Sequence, residues 1–127
     1  MPYTMQLDSA RGLLDLRYHG VMSIVQRLQA AEEALPLLRD SGVRRILIDL
    51  MQAVAAPDTI DDFRAFTARI TGEPLFRQSR TAFVAPPVNY TNHLVEVLAD
   101  AHHYPFSRFV DRDAAIEWLL GDEPAGQ

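Results

Sequence analysis

The stretch Arg45-Ile46-Leu47-Ile48-Asp49-Leu50 is short and almost wholly apolar, and the chain runs on to Pro57 before a new helical pattern opens at Asp58-Thr59. A run of that length and composition reads as a strand covered on both faces, which places it in a parallel sheet flanked by helices. The fold class follows from this one segment. It also directs attention to one rim of the sheet, because ligands of open sheets gather outside the carboxyl ends of the strands.

A chain of 127 residues suits one domain, expected over residues 1–121 with a flexible tail at 122–127. Cysteine is absent, which removes disulfides, thiolate catalysis and cysteine metal sites and fits a reducing compartment. The opening residues lack a basic segment followed by an apolar core, and no apolar run approaches the roughly 20 residues of a membrane span. A cytoplasmic protein without a membrane span is therefore expected. The net charge of −5 and the scatter of the twelve arginines argue against a nucleic acid partner. With no lysine, Schiff-base chemistry is excluded. The arginine-only usage reads as genomic composition.

Two alternating runs, residues 3–8 and 13–19, flank Ser9-Ala10-Arg11-Gly12, a hairpin signal. Ser23 and Gln26 form a capping-box pattern, and Ile24, Leu28, Ala31, Leu35 and Leu38 then recur at helical spacing up to Ser41-Gly42. Pro36 predicts a kink inside that helix. After the 45–50 strand, Asp58 or Thr59 caps a second helix with Ile60, Phe63, Phe66, Thr67 and Ile70 facing inward and Gly72 past its end. A strand at 80–85 stops at Pro86-Pro87, and a third helix runs over about residues 90–103. Residues 106–110 form the last strand, and Asp111 caps a final helix through Leu120. The predicted fold is α/β: a five-stranded mixed sheet opening with a β-hairpin, in ββαβαβαβα order. Right-handed crossovers are expected to distribute the helices over both faces.

The hairpin start, the strand ending in Asp49-Leu50, the helix entry at Asp58-Thr59 and the ending Phe109-Val110-Asp111-Arg112-Asp113-Ala114-Ala115-Ile116-Glu117-Trp118-Leu119 together resemble the SpoIIAA-like (STAS) family. The resemblance covers about residues 3–121. It implies the same fold and, from the best-known members, an anti-sigma-factor antagonist with a phosphorylated hydroxyl at the entry of the helix after the central strand. There Asp58 matches the family's Asp and Thr59 its first hydroxyl, while Ile60 occupies the acceptor position and Asp61 that of a Gly; sliding the alignment by one makes Thr59 the phosphoacceptor. The chain is more similar to an uncharacterised branch ending in an Ala-x-x-Trp-Leu helix, for which a small-ligand or lipid-carrier role follows by fold analogy.

Independent of family, the six glycines are isolated, so no Gly-rich loop cradles a pyrophosphate, and no Ser sits on a strand-to-helix elbow. No cofactor is expected. On the third helix His93, Glu96, Asp100 and His103 share one stripe, read as a solvated polar face, while His102 falls on the inner side. Asp58, Asp61 and Asp62 read as first-turn capping acids, and no metal is expected. Asp49 is expected to accept from loop amides. Trp118 points away from Ile116 and is expected to fold over neighbouring surface rather than face a partner.

The rim formed by residues 51–59, 86–92 and 110–112 carries Asp58, Thr59, Asn89, Tyr90 and Arg112 as polar groups beside Met51, Val54, Pro57 and Val88. That mixture suits a small apolar or amphipathic ligand, or the loop of a protein partner. A non-enzymatic SpoIIAA-like binding or regulatory module is the leading expectation. The alternatives are a phosphorylation-controlled anti-sigma-factor antagonist using Thr59, or a small hydrolase or lyase using Asp49, His102 or Tyr90. A homodimer through the Trp118 region or the first strand's edge fits the commonest symmetry.

Overall fold

Asp8 and Gly12 turn the chain at its start. In the computed structural model, which describes residues 3–87 and 93–121, Gly12 takes φ +67° and its N–H donates to the Asp8 carbonyl at 2.8 Å. The Asp8 carboxylate accepts from the Arg11 amide at 3.0 Å and the Arg11 Nε at 2.7 Å. This turn joins β1 (Tyr3–Asp8) to β2 (Leu13–Met22) as an antiparallel pair. There follow α1 (Ile24–Ser41), β3 (Arg45–Ala55), α2 (Ile60–Thr71), α3 (Pro74–Arg77), β4 (Arg80–Val84), α4 (His93–Ala101), β5 (Phe106–Phe109) and α5 (Arg112–Leu120).

The sheet has five strands in the order β1-β2-β3-β4-β5, and every pair after the first is parallel. The 45–50 segment thus lies in the central strand, with Leu47 and Leu50 fully buried. Crossovers of one hand that step one strand at a time in one direction deliver their helices to a single face. Accordingly α1, α2 and α4 cover the face presenting Leu14, Leu16, Ile46, Ile48 and Phe83, while among the described residues α5 alone covers the face of Leu13, Leu47, Ala82 and Val84. Helices do occupy both faces, but crossover handedness does not divide them. Helix α5, which joins no two of these five strands, supplies the second layer.

Strand β3 runs past the predicted end at residue 50 to Ala55, beside an equally prolonged β2. Between Arg17 paired with Asp49 and His19 paired with Gln52 the register shifts, so β3 holds one extra residue there. A bulge reverses which face each later side chain meets. It lets both Leu50 and Ala53 bury beneath α1 although three positions separate them.

Helix α1 carries both halves of the predicted capping box and ends in a left-handed Gly42 at φ +75°. It continues as one helix through Pro36. In α2 the buried set is Phe66, Thr67 and Thr71; Ile60, expected inside, is exposed because the first turn overhangs the packed layer. Helix α3 starts with Pro74, whose fixed φ suits a first turn, behind the capping Glu73. The third long helix begins, among the described residues, at His93 and buries Val95 and Ala99. His102, expected inside, is exposed, since the helix ends at Ala101 and the wheel that turned it inward no longer applies. No helix among the described residues is long and apolar enough to cross a membrane.

Candidate functional site

The residues named on the rim separate into two groups. Arg112 opens α5 and reaches the opposite side of the sheet from α1, where its Nη1 donates to Asp49 Oδ2 at 2.9 Å and its Nη2 to Asp15 Oδ2. Arg17 Nη2 shares that Asp15 oxygen at 3.2 Å. Asp49 also accepts the Met51 amide at 3.0 Å, the loop-amide role expected for it, although Met51 belongs to the prolonged strand. Two arginines balance two carboxylates here, so the cluster ties α5 to β2 and β3.

Asp58 and Thr59 lie at the entries of α1 and α2. Asp58 Oδ2 accepts the Ile24 amide at 3.0 Å, so this carboxylate caps the N-terminus of α1 across 34 positions of sequence. Thr59 Oγ1 accepts the Asp62 amide at 3.1 Å and the Asp62 carboxylate accepts the Thr59 amide at 3.2 Å, a closed capping box. Asn89 and Tyr90 lie outside the described residues, as do Val88 and residues 122–127. Asp49 and His102, two of the alternatives named for a hydrolase or lyase, sit on opposite layers, since His102 follows α4. Among the described residues no group of three His, Asp or Glu side chains is placed to hold a metal ion. Glu96 is paired with Arg108 at 3.0 Å.

The space that could take a ligand is internal. Between the sheet and the α1, α2 and α4 layer lies a cavity of about 70 Å³, walled by Leu16, Ile48, Phe66, Ala34, Val95 and Ala99 among others. Small side chains make it: Ala31 and Ala34 of α1 and Ala99 of α4 stand where larger ones would fill the gap. Arg27 of α1 lines this cavity and also a smaller one of about 10 Å³ that touches Asp58 and the ends of β2 and β3. Arg27 therefore connects the interior to the rim.

Arg27 is only 3% exposed. Its guanidinium lies 5.3 Å from the Phe66 ring centre and 5.8 Å from that of Tyr18, within cation–π range. Burial works against its charge, and the Tyr18 hydroxyl, Glu96 and Asp58 work to keep it. Burial likewise pushes the Tyr18 phenol up. The Arg27 Nε and Nη1 and the Thr67 hydroxyl are buried without a hydrogen-bond partner. A buried donor left unmade costs about 1–3 kcal/mol, and more when charged.

Arg27 was not singled out from the sequence. The inner face of α1 was followed through Ile24, Leu28, Ala31, Leu35 and Leu38, whereas the buried positions are Ile24, Arg27, Ala30, Ala34 and Leu38. The signal was there: an arginine three residues after the first buried position, followed by three alanines at 30, 31 and 34 on the same side. The arginine-only composition also has structural use. Arg45 Nε donates to the Leu119 carbonyl at 2.8 Å and Arg80 Nη1 to that of Gly121 at 3.1 Å, holding the C-terminal end of α5. Trp118 packs as expected, beneath the Arg80 guanidinium at 4.1 Å and against Phe109 at 5.7 Å.

Neither family models nor curated proteins match this chain. Among solved structures, the chain is similar to an uncharacterised protein of the DUF3478 family from Shewanella loihica PV-4, described as having a SpoIIAA-like fold. The two share 16% identity and a TM-score of 0.59, over 92% of this chain and 93% of that one. The likeness shows the fold, and the SpoIIAA-like architecture read from the hairpin, central strand and terminal helix is borne out.

Proposed function

We propose that this SpoIIAA-like domain is a non-enzymatic binding module that takes a small apolar or amphipathic molecule between its sheet and the α1, α2 and α4 layer. The observation that carries this is the cavity of about 70 Å³ with a buried arginine in its wall. Protein interiors close to the density of organic crystals and leave few voids larger than a water. A cavity costs about 24 cal/mol per Å³ in substitution series, so this one costs on the order of 1–2 kcal/mol that an occupant would recover. Arg27 also lines the smaller space beside Asp58, at the rim where ligands of such sheets are expected.

Thermal unfolding of the purified chain against a panel of small neutral and amphipathic probes tests the proposal. Binding to the native state raises Tm in a saturable way. Ala99→Leu, which extends a side chain into the cavity, is expected to abolish that response while leaving the protein folded. A panel in which no probe raises Tm removes the ligand-binding role.

A protein partner is the second reading, favoured by the prolonged ends of β2 and β3. Val21 and Val54 pair there and are 61% and 57% exposed, a neighbouring apolar pair on the face that α5 leaves uncovered. Capture from lysate that Val54→Glu leaves unchanged would remove this surface from consideration.

A further inference from the structure

The polar atoms in the walls of the internal cavity specify more than apolar character. The Thr71 hydroxyl donates to the Thr67 carbonyl at 2.7 Å, and the Thr81 and Tyr104 hydroxyls bond each other at 3.1 Å. Those groups are spent. What remains among the described residues is the Tyr18 hydroxyl, which acts on Arg27, the Arg27 guanidinium itself, with Nε and Nη1 unpartnered, and the Thr67 hydroxyl. Among the described residues no Asp or Glu lines the cavity. Asp58 and Glu96 act on Arg27 through their charge, but each is engaged elsewhere, with the Ile24 amide and with Arg108. The walls therefore offer one positive charge and surplus donors inside an otherwise apolar space.

Complementarity demands an acceptor with a single negative charge and a hydrocarbon body. A dianionic phosphate would bring two charges against one and more lone pairs than these donors can meet. A neutral hydrocarbon would leave the donors unmet. A carboxylate forms charge-assisted hydrogen bonds to a guanidinium, roughly twice as strong as neutral ones. The volume limits the tail: a cavity of about 150 Å³ accepts benzene, so about half that space accepts only a few heavy atoms.

We infer that the cavity binds a short-chain monocarboxylate, its carboxylate on Arg27 and its tail among Ile48, Phe66, Val95 and Ala99. This names the ligand class of the binding role proposed above and rests on it.

Calorimetric titration of the full chain with sodium acetate, propionate, butyrate and hexanoate, beside chain-matched alcohols and inorganic phosphate at constant ionic strength, tests it. Acetate or propionate is expected to bind about tenfold more tightly than the matched alcohol, the difference between a charged and a neutral hydrogen bond. Hexanoate and phosphate are expected to bind more weakly than propionate. In Arg27→Met the acid is expected to fall to the level of the alcohol. Should that variant not fold, the acid-to-alcohol ratio in the unsubstituted chain and its loss in Thr67→Val decide instead. Alcohols binding as tightly as acids, or phosphate binding as tightly as acetate, would overturn the monocarboxylate and leave a cavity-binding module standing. Absence of binding by every probe would overturn both.

Discussion

Arg27 and Arg112 carry the same charge to opposite faces of one sheet and are held there by different means. Arg27 lies against the rings of Tyr18 and Phe66, with two nitrogens unpartnered. Arg112 is half-buried and divides its guanidinium between Asp15 and Asp49. Removing Arg112 would leave two largely buried carboxylates facing each other with only Arg17 nearby. Arg112→Met is therefore expected to lower unfolding free energy by about 2 kcal/mol, discounted from a fully buried pair because the guanidinium is partly solvated. Arg39→Met, which removes a surface pair with adjacent Asp40, is expected to change it by less than about 0.5 kcal/mol. Urea titration of the two variants side by side checks the contrast. The sequence gives no sign of Arg112's ion-pair partners, because those on β2 and β3 lie 97 and 63 positions away. Local pattern carries no record of such distances.

Local pattern does carry the ends of elements. Ser23 with Gln26, Thr59 beside Asp62, Gly42 and Asp111 all stand where the residue types predicted, since a cap is a contact between near neighbours. Thr59→Val is expected to lower stability by about 1 kcal/mol through loss of the hydroxyl that accepts the Asp62 amide, with Thr59→Ser close to the parent. Gly42→Ala is expected to cost about 1 kcal/mol, since nothing crowds the site and only the left-handed backbone opposes a Cβ. Denaturant midpoints at unchanged slope check both. Two features were not legible at this scale. The β3 bulge breaks the period of two that defines a strand, so the residues after Leu50 read as loop. Helix α3 spans four residues, too few for a 3.6-residue period to show.

Across the whole molecule, three tyrosines tie the sheet to its surroundings. The Tyr3 hydroxyl of β1 donates to Glu33 of α1 at 2.6 Å, and burial together with that carboxylate raises its ionisation from 10.0 to about 12. Burial raises Tyr18 and Tyr104 in the same direction. An unfolded chain sheds these protons first, so the stabilisation is complete below pH 10 and declines as pH rises from about 10 to 12. Tyr3→Phe is expected to make that decline shallower, as urea midpoints at pH 8, 10 and 11 would show.

The architecture was legible because a buried parallel strand needs cover on both sides, which the 45–50 run announced. The cavity was not, because it arises from what small residues on α1 and α4 fail to fill, and the pattern of apolar positions is silent about volume.

Because each strand bonds only to its neighbours in sequence, the sheet can grow outward from its first hairpin as the polypeptide leaves the ribosome, each arrival docking on a finished border. The helix that follows β5 is also, among the described residues, the sole cover for Leu13, Leu47 and Val84. Nascent chains halted near residue 110 would bare that greasy surface, and are the species expected to recruit chaperones or to clump.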